Sequence, residues 1–286
     1  MKKKALVYNL INILVLLLAA FIFVSNYKPK ELFGGTGTYG IAVVAVTVVI
    51  VHFLKSIRLY FALFGANLSF SNYMKIYCKV TPVSVILPFK VGELFRMYCY
   101  GIQTGKMLKG IVTVILDRFM DTIALLAMIL AVLAIHGGAI PSLVYVLIGF
   151  IVCALIVYII FPGVYKYWIK YFLRADATPK KNWALKWLGK LNLVYTEISN
   201  VTKGRGIILF LLSLLAWSVE IGSVSLLCNL RGESGIVSSK ISEYLSSALS
   251  SSQTTELKQF IFISVILLMF IYVVLKFIEV ALRERD

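Results

Sequence analysis

Residues 71–100 read SNYMKIYCKVTPVSVILPFKVGELFRMYCY, an apolar piece ending near Leu87-Pro88 and a second one following it. Neither piece reaches the ~20 residues that a membrane-crossing helix needs. Pro82 and Pro88 interrupt the first, and longer apolar stretches flank the whole segment at 40–64 and 111–136. Both flanking stretches place 65–110 on one side of a membrane, so an odd number of crossings here would invert everything downstream. The economical solution is a re-entrant pair of half-helices that enters, breaks near Leu87-Pro88 and returns.

Irregular backbone at membrane depth is tolerated only where protein buries it or where it lines a wet cavity. Pro88 suits the first turn of the second half-helix, because its missing N–H would be unpaired there anyway. The free N–H groups that follow would point into a cavity with the positive end of the helix dipole. Lys90 and Arg96 add full charge nearby. Such a site favours an anion, the most available one being a lipid phosphate, and it is similar to the broken-helix sites of transporters.

Working outward, six spans are expected at about 5–25, 40–64, 111–136, 141–162, 206–229 and 257–280, making an all-α polytopic bundle and one integral membrane domain over 1–286. Composition agrees: 60% of the 286 residues are hydrophobic and 15% charged, against roughly 45–50% and 25% in soluble domains. The apolar stretch after Met1-Lys2-Lys3-Lys4 is too long for a signal peptide and reads as a retained helix. With the N-terminus inside, the outer loops hold Lys28, Lys30, Arg231, Lys240 and Lys258, 5 of the 29 basic residues, and the other 24 (29 − 5) stay inside. Positively charged loops remain cytoplasmic, so both termini are expected in the cytoplasm of a cell (inner) membrane. The net charge of +16 is then explained by loops against an anionic leaflet, with no nucleic acid as partner. The four cysteines form no Cys-x-x-Cys pair and are expected to be reduced.

Two connections stand apart. Residues 163–205 carry nine Lys/Arg among Trp168, Trp183, Trp187 and several tyrosines, which suits either a helix lying in the headgroup plane or a solvated connector. Residues 230–256 are Ser-rich, with SSALSSSQ at 246–253, and are expected to form a mobile loop.

Charges inside spans are costly, face the bundle interior and normally have partners. Glu93 precedes Arg96 by three residues and shares its helix face. One turn into the third span, Asp117 and Asp121 are four apart, with Arg118 three before Asp121. Asp117 or Asp121 is expected to orient Arg96 or Lys90, leaving net positive charge for a headgroup. The same residues also read as an ion-pair cluster pinning the hairpin to the third span, and the two readings are compatible. Glu220, midway along the fifth span, is protonated, paired with a cation or part of a lipid path. Arg58, near the inner end of the second span, reads as snorkelling to the headgroups. His52 and His136 are isolated, and no phosphate loop, zinc motif, nucleophile elbow or cofactor signature occurs.

The run Leu87-Pro88-Phe89-Lys90-Val91-Gly92-Glu93-Leu94-Phe95-Arg96, with Leu116-Asp117-Arg118-Phe119-Met120-Asp121 about twenty residues on, resembles the signature of the lysylphosphatidylglycerol synthase transmembrane family. That family includes the flippase domain of the multiple peptide resistance factor, a determinant of antimicrobial peptide resistance. Arg58-Leu59-Tyr60 and Trp217-x-x-Glu220 also fit it. The resemblance implies a protein that moves aminoacyl-phosphatidylglycerol or a polyisoprenyl-linked sugar between leaflets. Its headgroup site would draw on Arg58, Pro88, Lys90, Gly92, Glu93, Arg96, Asp117, Arg118, Asp121 and Glu220. Fused members add a soluble lysyltransferase domain, expected to be missing here because the sequence stops six residues past its last span. The alternative reading, a phosphatidylglycerol lysyltransferase-type enzyme or its membrane subunit, would need a separate soluble transferase or glycosyltransferase as partner. Family members usually carry a second, Gly-rich broken hairpin ending in a Gly-x-x-Glu-like element; here 241–257 has no glycine and offers Glu256.

Overall fold

The computed structural model describes residues 2–66, 68–87, 91–137, 141–174, 178–249 and 253–283. Among these residues there is no β-strand. In chain order the helices are α1 (Lys2–Asn26), α2 (Pro29–Phe33), α3 (Thr38–Ala62), α4 (Phe70–Ile86), α5 (Val91–Gln103), α6 (Met107–His136), α7 (Ser142–Arg174), α8 (Pro179–Thr202) and α9 (Gly206–Leu230). A short 3-10 turn (Ser234–Ile236), α10 (Val237–Leu249) and α11 (Thr255–Arg283) complete the chain. Six of them, α1, α3, α6, α7, α9 and α11, are long and apolar enough to cross a membrane. The expected spans and the all-α bundle are therefore present.

The re-entrant hairpin is α4 and α5. Ser69 starts α4, its hydroxyl accepting the Asn72 N–H at 3.4 Å. Pro82 does not interrupt the helix. The break comes at Leu87, whose backbone turns extended (φ −72°, ψ 130°), as the residue before a proline prefers. The depth of the excursion is fixed by what each end touches. At its start Phe70 lies 5.3 Å from the ring of Tyr60 near the end of α3. At its finish Val85 and Ile86 join Tyr27, Leu32, Ile261 and Val265, a cluster at the opposite end of the bundle. Seventeen residues at 1.5 Å each cover ~26 Å, so α4 traverses nearly the full depth and α5 returns.

Small residues let the returning chain come close, the usual way helices pack without a hydrophobic drive between them. A Cβ on Gly92 would fall 2.4 Å from the Ser84 Cα and 2.6 Å from the Val83 carbonyl oxygen. A Cβ on Gly110 of α6 would fall 2.3 Å from the Gly101 nitrogen. The bundle core is α3, α4, α5, α6, α9 and α11, with α1 set against α4 and α7 against α6 and α8. The outward faces of α1 and α7 carry exposed residues such as Leu14, Leu17, Phe150 and Ile159.

Both connections differ from expectation. α7 runs on past Pro162 to Arg174, and α8 folds back along it through Phe161–Tyr195 and Tyr158–Tyr195 ring contacts at 5.0 and 5.2 Å. A helix of 33 residues is ~50 Å long, more than the ~30 Å hydrocarbon core. The basic, aromatic segment is thus one antiparallel hairpin continuous with a span, not a lone helix in the headgroup plane. In the Ser-rich connection, Ile241, Tyr244 and Leu245 are buried at helical spacing in α10. Ser247 satisfies its hydroxyl on the Tyr244 carbonyl at 2.7 Å, which lets a serine-rich sequence stay helical.

Candidate functional site

The polar interior is assembled by helical spacing on six core helices and α10. On α3, His52, Lys55 and Arg58 recur every three residues along one face. Asp117 and Asp121 are one turn apart on α6, Tyr77 and Thr81 on α4, and Phe260 and Ser264 on α11. Glu93 and Arg96 come from the first turns of α5, and Ser213 and Glu220 from α9.

Arg58 is the hub. It is 2% exposed, and its Nε donates to Asp117 Oδ1 at 2.8 Å. Its Nη1 donates to Asp121 Oδ1 at 2.7 Å and to Ser213 Oγ at 2.6 Å. The second oxygen of Asp117 accepts from Arg96 Nη2 at 3.0 Å, so one carboxylate ties α3 and α5 to α6. Glu93 lies 3.6 Å from Arg96 Nη1 but 2.9 Å from Arg118 Nε. Lys55 donates to Glu220 Oε1 at 2.7 Å, with its ammonium 5.4 Å from the Trp217 ring centroid. The other oxygen of Glu220 accepts from the Tyr244 hydroxyl at 2.9 Å. Burial, with the Glu220 carboxylate beside it, pushes the Tyr244 phenol well above its usual pKa, so it remains a donor.

A small cavity of about 80 Å³ lies inside this network, lined by His52, Lys55, Arg58, Tyr77, Thr81, Arg96, Asp117, Arg118, Asp121 and Ser264, among others. Six lining atoms are buried without a hydrogen-bond partner among the described residues: His52 Nε2, Thr81 Oγ1, Arg96 Nε and Nη1, Arg118 Nε and Ser264 Oγ, of which Arg96 Nη1 and Arg118 Nε face Glu93 as ion pairs. Buried polar groups are nearly always satisfied, and leaving one unmade costs roughly 1–3 kcal/mol. These unpartnered atoms belong to residues that line one space, which gives the cavity a polar wall.

The sequence expectations fare unevenly. Glu93, Arg96, Asp117, Arg118, Asp121, Glu220 and Arg58 do come together, and Asp117 holds Arg96 as expected. Arg58 does not snorkel; three acceptors inside the bundle draw it inward. Arg118 turns to Glu93 and not to Asp121. Glu220 pairs with a cation, Lys55. Gly92 acts through its missing side chain, seating α5 on the α4 backbone. Pro88 and Lys90 lie outside the described residues, and with them the expected half-helix N-terminus. Four cations (Lys55, Arg58, Arg96, Arg118) face four carboxylates (Glu93, Asp117, Asp121, Glu220), so the described cluster is charge-balanced, while Lys90, part of the expected positive excess, lies outside the described residues. Lys55, Tyr77, Thr81, Ser213 and Tyr244 were not anticipated; a lysine one turn from Arg58 inside an apolar span was the available signal. Glu256 pairs with Arg231 at 2.8 Å at the other end of α9, away from this cavity.

In comparison with known proteins, the family model described as the lysylphosphatidylglycerol synthase TM region matches residues 9–237. No curated protein and no solved structure matches.

Proposed function

Because the chain belongs to the lysylphosphatidylglycerol synthase transmembrane family, we propose that this multi-pass membrane protein is a lipid translocase for an anionic or aminoacylated phospholipid, acting in a cell (inner) membrane with both termini cytoplasmic. The observation that carries this reading is the buried network around Arg58, Asp117 and Arg96, with unpartnered donors facing a cavity within it. A headgroup crossing hydrocarbon loses its hydration, and fixed charges inside the bundle would replace that water while the acyl chains stay in lipid. A phosphate would take donors from Arg96, Thr81 and Ser264. Asp117 and Asp121 would hold the two guanidiniums in place meanwhile and would suit the amino group of a lysylated headgroup. Charge balance at rest keeps such a site stable when empty of cargo, since an unpaired buried charge is far costlier than a paired one. The test is transport of fluorescent phosphatidylglycerol or lysyl-phosphatidylglycerol in proteoliposomes. Wild type should accelerate movement between leaflets and Arg96→Gln should lose most of that acceleration; equal rates in protein-free liposomes would overturn the proposal.

A further inference from the structure

A second polar cavity, of about 520 Å³, lies away from the central network between α1, α4 and α11, at the end of the bundle where α1 begins and α11 finishes. Its walls include Asn12, Lys75, Lys79, Lys276, Tyr272 and Glu279. Three lysines against one glutamate leave two positive charges among the lining residues, in contrast to the four-against-four balance around Arg58. The glutamate is shared: Glu279 Oε2 lies 3.1 Å from Lys75 and 3.2 Å from Lys276. Among the described residues Lys79 has neutral partners. Its ammonium donates to Asn12 Oδ1 at 2.9 Å and to the Tyr8 hydroxyl at 3.1 Å, and it sits 5.1 Å from the Tyr8 ring centroid and 5.8 Å from that of Phe95. An ammonium carries three donors; Cys99 is also within its hydrogen-bonding reach, so Lys79 is held by neutral groups alone and its charge is left for an anionic ligand. Asn12 is itself buried and oriented by its own bond to the Tyr8 carbonyl at 2.8 Å.

We propose that this cavity binds the phosphodiester of an anionic phospholipid, with Lys79 as its principal contact and Lys75 and Lys276 flanking it. The volume suits a headgroup. Position favours a lipid over a soluble phosphate, because the cavity is bordered by exposed Ile13 on the apolar face that α1 shows with Leu10, Leu14 and Leu17, where acyl chains would lie. The proposal rests on reading the chain as a handler of anionic lipid but not on transport through the central network.

The experiment titrates the purified full chain with phosphatidylglycerol, phosphatidylcholine and glycerol 3-phosphate and counts bound molecules by native mass spectrometry. Phosphatidylglycerol should be retained over phosphatidylcholine, and Lys79→Gln should weaken retention about tenfold, the usual scale for one charge-assisted bond. Asn12→Asp, nearly the same shape, should do likewise by neutralising the lysine, while Lys79→Arg should keep the binding. Retention insensitive to Lys79→Gln and Asn12→Asp but lost in Arg96→Gln would overturn this site and leave the central one standing. Glycerol 3-phosphate binding as tightly as the lipid would overturn the assignment to a membrane ligand.

Discussion

Replacing Asp117 by asparagine tests how much of the bundle depends on the central network. The side chain of Asp117 is 1% exposed and its two oxygens serve two different guanidiniums, Arg58 at 2.8 Å and Arg96 at 3.0 Å. Asparagine preserves shape but removes the charge, and its amide can accept at one atom only. Arg58 would keep Asp121 and Ser213, but Arg96 would keep only the looser Glu93 contact at 3.6 Å. Breaking a buried pair from one side typically costs about 3–5 kcal/mol. At roughly 2–4 °C per kcal/mol for a chain of a few hundred residues, the melting temperature in detergent should fall by roughly 6–20 °C. Glu31→Gln is the internal control, because the Lys28–Glu31 pair is 65% and 70% exposed and such pairs contribute about 0–1 kcal/mol. Asp117→Asn melting within ~2 °C of wild type would refute the reasoning, since the network would then be a solvated cluster and not a buried support.

Three further outcomes follow from the same geometry. Gly92→Ala must push a methyl into the α4 backbone at 2.4 Å, so it should cost about 1–3 kcal/mol and lower the yield of folded protein, whereas Gly149→Ala on α7, with open space around it, should not. Tyr244→Phe removes the donor to Glu220 and should destabilise by about 1.5–3 kcal/mol, the range for a bond to a charged group, read as a lower melting temperature. Lys55→Met strands the Glu220 carboxylate at depth and should destabilise more than Lys55→Met combined with Glu220→Gln, a non-additivity measurable by a double-mutant cycle.

Much of this arrangement was legible because membranes simplify the reading. Length and hydropathy give the spans, and parity of crossings forces α4 and α5 into a hairpin once Leu87-Pro88 is seen to break the run. Charges in spans must find partners, which singled out Glu93, Arg96, Asp117, Asp121 and Glu220. Lys55 was legible in principle but hidden by an apolar neighbourhood. Tyr77, Thr81 and Ser213 were not, since uncharged polar residues are common on helices and only tertiary packing turns them toward one cavity. The perimeter cavity joins Asn12, Lys79 and Lys276, residues far apart in sequence, and no local pattern foretells that. In α10 the serine-rich composition masks the helical spacing of Ile241, Tyr244 and Leu245.

The most direct measurement concerns where a headgroup goes. Phosphatidylglycerol bearing a photoreactive headgroup, irradiated in proteoliposomes with the full chain and mapped by peptide mass spectrometry, should mark residues that line the central cavity, Tyr77, Thr81 and Ser264 among them, and Arg96→Gln should abolish those adducts. Adducts confined to the perimeter of the bundle, with none on the cavity walls, would contradict passage of the headgroup through the Arg58–Asp117–Arg96 network.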